Sequence, residues 1–218
     1  MFKGTSASAG IGIGKAVIVE EAELVITRNE VADAEAEIQR FKGALEKTIA
    51  ATQKMADDLA SRVGEKEAEI MQGHMMLLSD PMLTGEIENS VKNDKVNCEF
   101  AIENVCNMYA DMFASMGDEL MQQRATDMRD IKVRMQRTLM GLESVDVSLL
   151  PKGSILVAKD LTPSMTAGIN PENVSGIITE LGGKTSHSAI LARALEIPAV
   201  VAVNGLMDAV KDGDSVVL

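Results

Sequence analysis

Tryptophan is missing from this 218-residue chain, tyrosine occurs once and phenylalanine four times. So few rings argue against a large aromatic-lined pocket or a base-stacking surface. The interior must be built from aliphatic side chains and from fifteen methionines, which fill irregular gaps. Cysteine is nearly as scarce. Cys98 and Cys106 lie eight residues apart, roughly 12 Å along a helix, which is too far for a disulfide. They read as reduced core residues of a cytoplasmic protein. Positive charge is also short, with 21 Lys and Arg against 33 Asp and Glu, a net charge of −12. That balance argues against nucleic acid or an anionic membrane and suits a basic protein partner. No apolar run approaches the length of a membrane span, and the opening MFKGTSASAGIGIGKAVIV lacks the layout of a signal peptide.

Glycine and proline are thin in one region only. Residues 30–145 hold 6 Gly and 1 Pro, and the remaining 102 residues hold 11 Gly and 4 Pro. The middle is therefore helix-compatible and the flanks are turn-rich. Within the middle, apolar residues recur at Ala34, Ile38, Phe41, Leu45, Met55 and Leu59 in steps that fit a long helix. Thr48 and Thr52 interrupt that stripe and predict weaker packing there. Further helical runs cover Glu65–Leu78, Met82–Lys92, Asn97–Met121 and Ala125–Leu142, with Ser79-Asp80-Pro81 stopping one and starting the next. Long helices joined by short loops predict a bundle.

The flanks read differently. Gly12–Val19, Ser154–Ala158, Gly176–Thr179, Ala199–Val203 and Ser215–Leu218 are β-rich, and a helical pattern crosses Ser188–Leu195. The N-terminal strand has no local sheet to join, so it is expected to pair with the C-terminal strands. The predicted architecture is an α/β domain, residues 1–29 and 146–218, interrupted by an all-α helical bundle, residues 30–145.

Chemistry concentrates in Gly182-Gly183-Lys184-Thr185-Ser186-His187-Ser188. Gly182 and Gly183 allow close approach of backbone to a ligand. Thr185 and Ser186 are candidate helix caps, which puts His187 in or just before the first helical turn, where unpaired N–H groups favour anions. A neutral imidazole is favoured at that end, and an added phosphoryl group would be stabilised there. Lys184 and Arg193 could add cationic contacts. A histidine at a helix start is, taken alone, more often a cap or surface residue. Competing chemistry finds little support: two His and two dispersed Cys form no metal-ligand cluster, the Gly-to-Lys spacing is wrong for a P-loop, and an adjacent Ser-His pair is not a hydrolase triad.

The run GGKTSHSAILARALEIPAV resembles the phosphohistidine signature of enzyme I, the phosphoenolpyruvate–protein phosphotransferase family of the sugar phosphotransferase system. The resemblance continues through GTSASAGIGIGKAVI, EAEIMQGHMMLLSDPML, RATDMRDIKVRMQRTLMG and KDLTPSMTAGIN, and so covers essentially the whole chain. It implies a swivelling-type phosphohistidine domain whose His187 accepts phosphate on Nε2, Thr166 bonding that imidazole, and Arg193 as the signature arginine. It also implies that Glu65, Lys66, Glu67, His74 and Arg124 lie on or near a docking surface for HPr, the small histidine phosphocarrier.

Members of the family continue into a phosphoenolpyruvate-binding barrel that takes magnesium, and this chain lacks it. Autophosphorylation from phosphoenolpyruvate is therefore expected to be lost and exchange with HPr to survive. Family members dimerise through the barrel, so a monomer is expected here. The absence of an amino-terminal sensory domain points to the sugar branch over the nitrogen-regulatory one. Two other readings compete. One is the swivelling domain of a pyruvate phosphate dikinase or phosphoenolpyruvate synthase, which does not account for the inserted bundle. The other is a non-catalytic module whose acidic bundle docks a protein while His187 stays inert.

Overall fold

The computed structural model describes residues 2–218, with the side chain of Glu119 left aside. Contacts divide it into two compact units. One comprises the chain up to Ala22, Leu59–Ala68 and Val145–Leu218, and the other Glu23–Asp58 and Glu69–Ser144. Leu59–Ala68, placed in the insertion by the sequence pattern, thus clusters with the α/β unit.

The α/β unit is built on strands β1 (Thr5–Ser8), β2 (Ile13–Ile18), β3 (Ser154–Ala158), β4 (Val174–Thr179), β5 (Ala199–Val201) and β6 (Ser215–Val217). They form one sheet in the order β1-β5-β4-β3-β2-β6. The expected pairing of N- and C-terminal strands is present: β2 runs parallel to β3, and β1 runs antiparallel to β5. The central strand β3 is apolar after its first residue and buried throughout, the pattern of a strand covered on both faces. Alternation along it splits the core: Leu156 and Ala158 enter one apolar cluster, Ile155 and Val157 another. The unit also holds a 3-10 turn at Val147–Leu149 and the short helices α6 (Pro163–Ala167), α7 (His187–Ala194) and α8 (Leu206–Ala209).

The helical unit holds most of α1 (Ala34–Val63) and α2 (Glu65–Leu78), together with α3 (Pro81–Asp94), α4 (Cys98–Ser115) and α5 (Glu119–Met140). Asp80 caps α3 by accepting from the Met82 N–H, and Pro81 occupies its first turn, as the sequence punctuation predicts. The border between α4 and α5 lies earlier than expected. Gly117 takes φ +70° and Asp118 then caps α5 through the Leu120 N–H at 2.7 Å, so capping chemistry overrides the apolar pattern that ran on to Met121. Phe41, Ile87, Ile102, Met128 and Ile131 form the centre of this core.

Thr48 and Thr52 correct a second expectation. Both are fully buried, not loosely packed. The Thr52 hydroxyl donates to the Thr48 carbonyl at 2.7 Å and accepts from Arg134 Nη2 at 2.7 Å, so the break in the apolar stripe is a satisfied polar contact.

Candidate functional site

β3 and β4 are parallel and in register from Ile155 opposite Gly176 to Ala158 opposite Thr179, so their loops leave the carboxyl edge side by side. In open α/β sheets that edge is where ligands bind. The two chains stay bonded beyond the strands: Glu180 N–H donates to the Ala158 carbonyl at 3.1 Å and Leu181 N–H to the Lys159 carbonyl at 2.8 Å. The first loop leads to Thr162 and α6, the second to Gly182–Ser186 and α7.

In the second loop, Gly182 stands at φ +95°, a conformation that side chains disfavour. Asp160 Oδ1, Thr179 Oγ1 and Ser186 Oγ all approach within 3.8 Å of the position its Cβ would occupy. Asp160 lies at the rim, and its loss of solvation raises the carboxyl above its ordinary pKa against the lowering effect of the Leu161 N–H. Ser186 is the N-cap of α7, accepting from the Ala189 N–H at 3.3 Å. Its single proton goes to the Gly183 carbonyl at 2.8 Å, so the 2.9 Å contact with Ser188 has Ser188 as donor. Loop and helix start are thereby locked together.

His187 is the first residue of α7 and is half-buried. α6 packs against α7. Thr166, on α6, is 1 % exposed, and its hydroxyl donates to the Thr162 carbonyl at 2.7 Å. Towards an imidazole that hydroxyl is left as an acceptor for a ring N–H.

Arg193 lies in the last turn of α7. Its Nη1 donates to the carbonyls of Ala7 on β1 and Lys184 in the loop, at 2.9 and 3.1 Å. The guanidinium expected to meet a phosphoryl group thus also ties the loop to the sheet. Lys184 and Thr185 are exposed and Gly183 is half-buried.

The expected docking residues part company. Glu65 and Lys66 are exposed and Glu67 half-buried in the first turn of α2. Arg124 is half-exposed and its Nη1 lies 3.4 Å from Asp127. A methyl group on Gly73 would stand 2.5 Å from that same nitrogen, so the bare glycine makes room for the arginine. His74 needs correction as a surface contact. It is 0 % exposed, with Nε2 at 3.3 Å from Asp127 and Nδ1 at 3.8 Å from Asp130. Asp127 bonds Nε2 while Nδ1 has no hydrogen-bond partner among the described residues, so burial of the ring is only half repaid. Asp127 also lies against Arg124.

Sequence reasoning missed an exposed methionine set, because methionine was read as core filler. Met76 and Met82 are 74 % and 69 % exposed, and Met108, Met112 and Met116 recur every four residues along or just beyond α4. That spacing puts the three on one face. Among the described residues no group of three or more His, Cys, Asp or Glu is arranged to hold a metal ion, and no helix is long and apolar enough to cross a membrane.

Comparison with known proteins gives concordant matches. Residues 3–124 match the PEP-utilising enzyme, N-terminal family, and residues 150–218 match the PEP-utilising enzyme, mobile domain. The phosphoenolpyruvate-protein phosphotransferase of Bacillus subtilis is 40% identical over 217 residues, spanning 100% of this chain and 38% of that protein. Its counterpart from Listeria monocytogenes is 42% identical with the same coverage. The NMR solution structure of an Enzyme I protein (nEIt) superposes with a TM-score of 0.85 at 40% identity, covering 100% of this chain and 89% of that one. The N-terminal domain of Enzyme 1 - Nitrogen shares the fold, with a TM-score of 0.65 at 24% identity.

Proposed function

The chain belongs to the PEP-utilising enzymes, and from that premise we propose that it is the phosphohistidine-bearing part of an enzyme I, carrying a phosphoryl group on His187. The observation that carries this reading is the position of His187, at the amino end of α7 and beside a glycine loop locked by its own cap. The amino end of a helix disfavours the imidazolium form and favours the charge that arrives with phosphate. The chain spans 38% of the curated relatives' length, so the complete reaction is proposed for a longer protein.

In that reaction a ring nitrogen of His187 attacks the phosphorus of phosphoenolpyruvate. The new P–N bond forms as the P–O bond breaks, and the enolate released takes a proton to become pyruvate. In the second step a histidine of HPr attacks the same phosphorus, and the P–N bond to His187 breaks. Thr166 accepts from the ring N–H and fixes the ring's orientation. Lys184 and Arg193 supply positive charge at the transferred group, as phosphoryl transfers require. Magnesium belongs to the phosphoenolpyruvate half-reaction, outside the residues described here.

HPr docks on the helical unit. The exposed methionines of α4 offer an adaptable apolar surface, and the net acidic charge favours a basic partner. Relatives matched along the whole chain favour this reading over a dikinase swivelling domain. The test is the intact mass of the chain after incubation with phosphorylated HPr, with unphosphorylated HPr as control. One added acid-labile phosphoryl group is expected. Binding of HPr with no added mass would leave only an inert docking module.

A further inference from the structure

α6 carries Thr166 on a helix of five residues, Pro163–Ala167. So short a helix cannot sustain itself, because nucleation costs more than one turn returns. Both of its ends are held. At the amino end the Thr162 hydroxyl accepts from the Met165 N–H at 3.2 Å, and Pro163 presets the first turn. At the carboxyl end the N–H groups of Gly168 and Ile169 return to the carbonyls of Met165 and Thr166, at 3.1 and 3.2 Å. The carbonyls of Ala167 and Ile169 lie past that ladder, and Arg62 takes both: Nη2 donates to Ala167 and Nη1 to Ile169.

Arg62 stands in the last turn of α1 and clusters with the α/β unit. A planar guanidinium suits this task, because its two outer nitrogens form a fixed fork that can grip two carbonyls at once. Its charge is favoured there twice over, since it lies in the last turn of α1 and meets the carbonyl end of α6. A lysine would keep the charge and lose the fork.

We propose that Arg62 is a positioning residue for phosphoryl transfer at His187, clamping the carbonyls on either side of Gly168 and so fixing the turn that holds Thr166, packed against α7, in the orienting role proposed for it above. This rests on the phosphohistidine role proposed above for His187. Arg62 touches neither reactant, and its effect passes through α6.

The test compares Arg62→Met, Arg62→Lys and His187→Ala in this chain, with phosphorylated HPr as donor. Three quantities are read: the single-turnover rate against HPr concentration, the NMR titration of the His187 ring, and the melting temperature. Misplacement of a reacting group by about 1 Å can cost on the order of a hundredfold in rate, so a partly loosened α6 is expected to slow Arg62→Met about tenfold. The HPr concentration for half-saturation should stay unchanged and the His187 titration should shift, with Arg62→Lys falling between. A maximal rate within about twofold of wild type, or a rate loss with melting but no change in the His187 titration, would overturn the proposal. Should Arg62→Met fail to fold, Arg62→Lys carries the test: slower transfer with a shifted titration supports it, and wild-type values for both overturn it. His187→Ala separates the two ideas. If it still takes phosphate the site itself is misassigned, whereas an inactive His187→Ala beside a fully active Arg62→Met removes only the role of Arg62.

Discussion

The chain has two histidines, and they occupy opposite kinds of place. His187 opens α7 beside a glycine loop, half-buried, at a helix end that favours anions. His74 lies inside α2, wholly buried, with Asp127 and Asp130 facing its two ring nitrogens. One ring is placed at a helix end open to an arriving anion, and the other is enclosed beside the carboxylates of a neighbouring helix. Residue type offers the same chemistry at both positions, and on the function proposed above the surroundings suit one to transfer and the other to structure.

Exchanging the outcomes of the two sites would break that comparison. The largest effect is expected from His187→Ala, which should abolish acceptance of phosphate from HPr while leaving the melting temperature near wild type. His74→Ala should do the reverse. Leaving two buried carboxylates without their ring costs about 3 kcal/mol of stability, readable by urea unfolding, and phosphate acceptance at temperatures below melting should persist. A smaller effect is expected from Gly182→Ala, where a side chain at φ +95° costs about 1–2 kcal/mol of local strain. Its signature should be several-fold slower transfer with little change in HPr affinity.

The smallest effect sharpens the structural side of the comparison. Burial pushes the Cys106 thiol up to about 12. An exposed thiol in the unfolded chain ionises near 9. Between those values the unfolded state loses a proton that the folded state keeps, so this group's contribution to stability is intact below pH 9 and is lost as pH rises towards 12. Alkylation of Cys106 at pH 8 should accordingly track unfolding and not the native protein.

Much of this contrast was legible in the residues, for definite reasons. β3 is an apolar run bounded by Gly153 and the polar Lys159-Asp160, and α3 is announced by Asp80-Pro81. The loop from Gly182 to Ser186 and the helix that His187 opens follow from glycine and capping chemistry. β1 was not legible as a strand from its own pattern. Thr5–Ser8 has no apolar alternation, and it becomes a strand by pairing with β5 across a register shift between Ser6 and Ser8. α6 is too short for any helical period, although Thr162-Pro163 held the cap signal. A histidine among Met and Leu already suggests core or interface packing for His74; the carboxylates beside it were hidden because they come from α5, more than fifty positions away in sequence. The exposed methionines escaped notice because an apolar residue on a helix gives the same pattern whether it faces a core or a partner.

Having only two histidines makes the central claim directly observable. The measurement is a long-range proton–nitrogen NMR spectrum of the chain labelled with ¹⁵N-histidine, recorded before and after incubation with phosphorylated HPr. Phosphorylation should move the ring nitrogens of the solvent-accessible histidine to phosphoramidate positions and leave the buried ring where it was, with the assignment fixed by His74→Ala. A changed His74 ring beside an unchanged His187 ring, or two unchanged rings under conditions in which HPr binds, would contradict the account.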